Sequence, residues 1–177
     1  MTATPQAEFI STDLGRLHAR RSGTGPPAVL WHSLFIDSQS WGPLVDTLAR
    51  HRTVHTIDGP SHGQSEAVPR DFTFEECLAA AEQALDRLGL SEPVDWVGNA
   101  WGGHLGIRLA ASPRPRLRTL ATIGTPVRAF SLVEKWTKGL AVSAPLSLAR
   151  PHRVDHQYTP TPCWARKQSR LNPFGPQ

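Results

Sequence analysis

The stretch that most limits what this chain can become is Asp95-Trp96-Val97-Gly98-Asn99-Ala100-Trp101-Gly102-Gly103-His104. An apolar run stops at a cluster of small residues, and helix-forming sequence starts at once. A strand that turns sharply into a helix needs small side chains where the two backbones approach each other. The flanking segments repeat the same grammar. Residues 28–31, 53–57, 94–97 and 117–123 read as strands, and the first is a wholly apolar run suited to burial on both faces. Between them, Trp41, Leu44, Val45 and Leu48 recur at helical spacing. Thr73 with Glu76 forms a capping box ahead of a longer helix. That helix turns Phe74, Cys77, Leu78, Ala81, Leu85 and Leu88 inward and closes at Gly89. A helix rich in small residues covers 101–111. Strands alternating with helices imply βαβ units and a parallel sheet.

Upstream, Phe9-Ile10 and residues 14–20 read as two short strands joined at Thr12-Asp13, the second alternating as a half-exposed edge strand would. Gly23-Thr24-Gly25-Pro26-Pro27 reads as a tight turn rather than a phosphate loop, since prolines and a strand follow it instead of a helix. After about residue 129 the grammar is lost. Residues 131–150 read as the beginning of a lid or an irregular helix. From Pro145 six prolines fall within 33 residues, and 151–177 reads as a Pro/Arg-rich, disordered tail. The domain that the sequence supports is therefore 1–130.

At 177 residues, with 39% apolar and 19% charged residues, the chain has enough material for one core. The net charge of +4 is partly a tail effect: 150–177 holds five Lys/Arg against Asp155 alone. Those basic residues, interleaved with Tyr158 and Trp164, are too sparse for a nucleic-acid surface. Cys77 and Cys163 form neither a metal spacing nor a disulfide framework. With no signal-peptide pattern at 1–8 and no long apolar span, the expectation is a cytoplasmic chain without membrane or nucleic-acid partners.

Three segments, in order and at fitting separations, together resemble the α/β-hydrolase superfamily over residues 8–128. Val29-Leu30-Trp31-His32-Ser33-Leu34-Phe35 is similar to the family's apolar strand followed by His-Gly-x. Asp58-Gly59-Pro60-Ser61-His62-Gly63-Gln64-Ser65 is similar to its Asp-x-x-Gly-His-Gly-x-Ser loop. Gly98-Asn99-Ala100-Trp101-Gly102 matches the nucleophile elbow, Gly-x-nucleophile-x-Gly. The nearest likeness is to the enol-lactonase and ester-hydrolase branch. Trp101 is also similar to the Trp that follows the nucleophilic Asp of dehalogenases and epoxide hydrolases.

The resemblance implies an α/β fold: a partial α/β-hydrolase, a mostly parallel sheet flanked by helices and lacking the C-terminal strands. It implies hydrolysis of esters, lactones or related small molecules, with no cofactor and no metal. It places the backbone N–H groups of Leu34 and Trp101 as oxyanion donors, and Ala100 at a vacant nucleophile position. Ser33 stands where the family has Gly, on the oxyanion loop rather than the elbow, and is a poor substitute nucleophile. The family's acid and His follow later strands. His152, Asp155 and His156 come too early, and in proline-rich sequence, to fill those roles. As a zinc pair with Cys163, the two histidines lack a helix and a fourth ligand. His104 reads as a packing or helix-surface residue, and His62 as a structural hydrogen-bonding residue of its loop. The expectation is an inactive chain, with two alternatives: a non-catalytic binding scaffold, or a truncated or frame-shifted product. Missing strands would leave an open sheet edge through which two chains can pair.

Overall fold

The computed structural model describes residues 6–127. The expectations for 131–150 and for the tail lie outside the described residues, and with them His152, Asp155, His156 and Cys163. Within them, six strands form one sheet in the order β1-β2-β4-β3-β5-β6: β1 (Gln6–Thr12), β2 (Gly15–Ser22), β3 (Pro27–Trp31), β4 (Thr53–Ile57), β5 (Val94–Asn99) and β6 (Leu117–Ile123). β1 pairs antiparallel with β2, and β2 with β4; the β4-β3-β5-β6 half is parallel. That is the mostly parallel sheet the alternating pattern implies.

Helices cover both faces because both faces are apolar. On one side, α2 (Phe74–Arg87) and α3 (Trp101–Ala110) pack onto Leu17, Val29, Trp31, Ile57 and Trp96. On the other, the smaller cluster of Ala28, Leu30, Trp41 and Val54 lies under Val45, Leu48 and Ala49. The capping box of α2 forms as read. The Glu76 N–H donates to the Thr73 hydroxyl (3.1 Å), and the Glu76 carboxylate accepts from the Thr73 N–H (2.8 Å).

Two elements differ from what their sequence pattern suggests. The helix expected around Trp41–Leu48 is broken in two, a 3-10 turn at Ser38–Trp41 and a short α1 at Pro43–Leu48. Gly42 takes φ 41° between them, and Pro43, which lacks an N–H, starts the second piece. Trp41 is the residue that goes inside, while Leu44 stays 37% exposed. The alternation at 14–20 suggested an edge strand, but β2 lies between β1 and β4. Its buried polar residue, His18, is tied to Asp58 instead of facing water.

Asp95 knits the parallel half together near the strand starts. Its carboxylate accepts from Arg52 (3.0 Å), Arg118 (2.6 Å) and Thr119 (2.7 Å), three donors that hold its pKa well below the usual range despite partial burial. β6 is hydrogen-bonded to β5 alone among the described strands, and most of its residues are exposed, Ile123 at 49%.

Candidate active site

The site is built where β3, β4 and β5 end. β5 runs to Asn99, Ala100 makes the turn, and α3 begins at Trp101. Ala100 has φ 47° and ψ −101°, a conformation an L-residue adopts only when its surroundings impose it. What imposes it is on both sides. The Ala100 N–H donates to the Ile123 carbonyl at the end of β6 (2.8 Å), and the Ala100 carbonyl accepts from the His104 N–H (3.0 Å).

The surrounding glycines are required by space. A Cβ on Gly98 would lie 2.3 Å from the Gly102 backbone, and one on Gly102 2.1 Å from the Trp31 carbonyl oxygen. A Cβ on Gly103 would lie 2.0 Å from the Thr125 hydroxyl. Helix and strand therefore meet backbone to backbone, and the Trp96 indole N–H seals the contact by donating to the Gly102 carbonyl (2.9 Å).

No side chain caps α3. Its first-turn N–H groups stand at the positive end of the helix dipole, an arrangement suited to a negatively charged oxygen. Facing the elbow is the loop after β3. There Leu34, Phe35 and Ile36 are exposed in sequence, at 46%, 75% and 38%. The rings of His32, His62 and Trp101 join this loop to the elbow. His62 lies 4.9 Å from His32 and 5.4 Å from Trp101, and Trp31 meets Trp101 edge-on at 6.0 Å.

Both histidines are committed to structure. His32 is fully buried, with Nδ1 2.7 Å from the Ser33 carbonyl, and Nε2 accepts from the Gly59 N–H (2.8 Å). These partners fix the neutral Nδ1–H tautomer. Burial pushes the pKa down to about 4, further than the Ser33 carbonyl raises it. The two nitrogens of His62 face two acceptors, the Pro60 carbonyl (2.8 Å) and the Leu34 carbonyl (2.6 Å). His62 thus holds the backbone at Leu34, and neither ring has a nitrogen left to take a proton from a nucleophile. His104 is half-buried on α3. From Ala100 to Val127 the chain has no Asp or Glu that would orient its ring.

Below this cluster, Asp58 is the organising carboxylate. Burial alone would raise its pKa, but hydrogen bonds from Ser38, the Gln64 N–H and His18 outweigh it and bring it below the ordinary value. Ser65 completes the knot, donating its hydroxyl to the Asp58 carbonyl (2.7 Å) and accepting from the His18 N–H (2.9 Å). A Cβ on Gly63, at φ 50°, would strike the Asp58 carboxylate at 2.4 Å. The motif's aspartate, glycine and serine are therefore one structural unit that presents His62. The sequence pattern exposed the loop, but not the His18 and Ser38 contacts, which arrive from β2 and the 3-10 turn.

Residues 26–150 match the alpha/beta hydrolase fold family. The chain belongs to that family. Among curated relatives, the pimeloyl-[acyl-carrier protein] methyl ester esterase of Xylella fastidiosa (strain M23) is 29% identical over 141 residues, 79% of this chain and 51% of its own length. The protein of that name in Stenotrophomonas maltophilia is 33% identical, over 68% of this chain and 43% of its own. The crystal structure of the enol-lactonase from Burkholderia xenovorans LB400 is 29% identical. It matches with a TM-score of 0.60 over 64% of this chain and 45% of its own. The chain thus spans about half the length of the relatives it matches. The six-stranded sheet and these likenesses bear out the partial α/β-hydrolase fold.

Elsewhere, Cys77 is fully buried on α2, and burial pushes its thiol up to about 12, so it is no nucleophile. Among the described residues no group of His, Cys, Asp and Glu is arranged to hold a metal ion. No described helix is long and apolar enough to cross a membrane.

Proposed function

We propose that this chain is an alpha/beta hydrolase-family domain that binds ester- or lactone-type small molecules at the elbow without hydrolysing them. One observation carries the reading: the strained turn that presents a nucleophile is kept in full, and Ala100 occupies its apex with a methyl group. In this reading the N–H groups of Leu34 and Trp101 receive the carbonyl oxygen, Leu34 being steadied through its own carbonyl by His62. The exposed Leu34, Phe35 and Ile36 offer an apolar wall for the rest of the ligand. The names of the esterase and enol-lactonase relatives support the substrate class.

The test is turnover of p-nitrophenyl acetate by the chain and by Ala100→Ser, beside binding of a γ-lactone followed by the Trp101 indole resonance. Neither protein is expected to exceed the buffer rate, because the serine hydroxyl gains no free base, and the lactone is expected to shift Trp101. Turnover by the unmodified chain that Ser33→Ala or His152→Ala abolishes would overturn the inactive reading. An unmoved Trp101 resonance would remove the binding role.

A second reading concerns partners. β6 has a hydrogen-bonded neighbour on one side among the described strands, and its other edge is the one that would pair with a second copy. Sedimentation should show reversible, concentration-dependent association. A single species across a hundredfold dilution would dismiss it.

A further inference from the structure

At the opposite end of the sheet from the elbow, a crevice of about 370 Å³ opens under the C-terminal end of α2. Its floor is set by strand register. Arg21 on β2 stands directly opposite His55 on β4, and Glu8 on β1 is paired with Ala19, two residues along β2 from Arg21. Side chains two apart on a strand share a face, so Glu8, Arg21 and His55 project to the same side, the side of α2. Leu88 and Leu90, which follow the last turn of α2, and Pro27 also line it.

His55 is the unexplained residue. It is 4% exposed, yet its Nδ1 is buried without a hydrogen-bond partner. A buried donor or acceptor left unmatched costs about 1–3 kcal/mol. Burial first, and then the Arg21 guanidinium, push its pKa down to about 4, so the ring is neutral at neutral pH. Arg21 is itself exposed and has no ion-pair partner among the described residues. A second polar group at the crevice is already spent: the Thr53 hydroxyl donates to the Gly25 carbonyl (2.8 Å).

We propose that this crevice binds a small aliphatic carboxylate, held by the Arg21 guanidinium and, once the imidazole turns to bring it to the crevice, by the His55 Nδ1–H, with its alkyl part against Leu88 and Leu90. One planar group with two acceptor oxygens satisfies both the unpaired cation and the unmatched ring nitrogen. The crevice volume is at the low end for small-molecule sites. Glu8 in the lining works against ligands of higher negative charge, which favours a monocarboxylate over a polyphosphate.

The experiment is a titration of the full chain with pentanoate, acetate and chloride at constant ionic strength, read from the imidazole resonances of all its histidines. Pentanoate should give a saturable shift at His55, with acetate several-fold weaker because it leaves Leu88 and Leu90 uncovered. Arg21→Gln, an exposed substitution that leaves the fold intact, should weaken pentanoate about tenfold through loss of a charge-assisted bond. Glu8→Gln should strengthen it. The proposal is overturned if His55 does not shift or if Arg21→Gln binds equally well. Chloride matching pentanoate, or acetate binding as tightly, would also overturn it.

Discussion

At Ala100 the turn from β5 into α3 holds an L-residue at φ 47° and ψ −101°. A non-glycine residue at φ 47° carries strain of about 1–3 kcal/mol. In the function proposed above, this is the turn that would present a nucleophile, and Ala100 fills its apex with a methyl group. Ala100→Gly should therefore stabilise the protein by about 1 kcal/mol, the relief being partly offset by the greater freedom of glycine in the unfolded chain. Urea unfolding measures it, and a variant less stable than the parent would mean that the turn is unstrained. The sharp turn was legible because the glycines at 98 and 102 frame it in sequence. The commitment of His32 and His62 was not, since it depends on carbonyl groups of Ser33, Pro60 and Leu34 that have no signature in side-chain identity.

At the scale of elements, contact distance and conformation act separately, and glycines of this chain allow the two to be compared. Gly89 ends α2 at φ 70°, with open space where a Cβ would go. Gly102, in the first turn of α3, has the Trp31 carbonyl oxygen 2.1 Å from that point. Gly89→Ala should cost about 1 kcal/mol, a conformational penalty alone. Gly102→Ala should cost about 3 kcal/mol or prevent folding, because a backbone oxygen in the middle of a sheet cannot step aside. Thr73→Ala, which removes one half of a reciprocal cap, should cost about 1 kcal/mol. Urea midpoints order the three variants, and equal losses at the two glycines would show that packing at the elbow is loose. α2 was readable from Thr73 to Gly89 because cap, apolar stripe and stop agree. The segment at 38–48 was not, because its apolar spacing suits a helix while Gly42 and Pro43 divide it.

At the scale of the whole molecule, two of the buried described histidines, His32 near the elbow and His55 near the opposite end of the sheet, are held uncharged. Each has its pKa lowered from 6.5 to about 4 in the fold, mainly by burial. Between those values the unfolded chain binds protons that the folded chain refuses, so stability rises with pH through that window and falls as the solution is acidified. Asp58 does not contribute to that loss. Its pKa is lowered, so its stabilisation is present above the unfolded carboxylate value and is lost only as pH falls through its lower folded value. From pH 7 to pH 5 the two rings together should lower the unfolding free energy by about 4 kcal/mol, with close to two protons taken up on unfolding near pH 5. Urea denaturation across that range measures the slope directly. A half-sized slope would mean that one ring protonates in the folded state as it does in the unfolded chain, and a flat profile that both do. For His32 that would contradict the acceptor role its Nε2 plays toward Gly59, and for His55 it would place a second donor in the crevice beside Arg21.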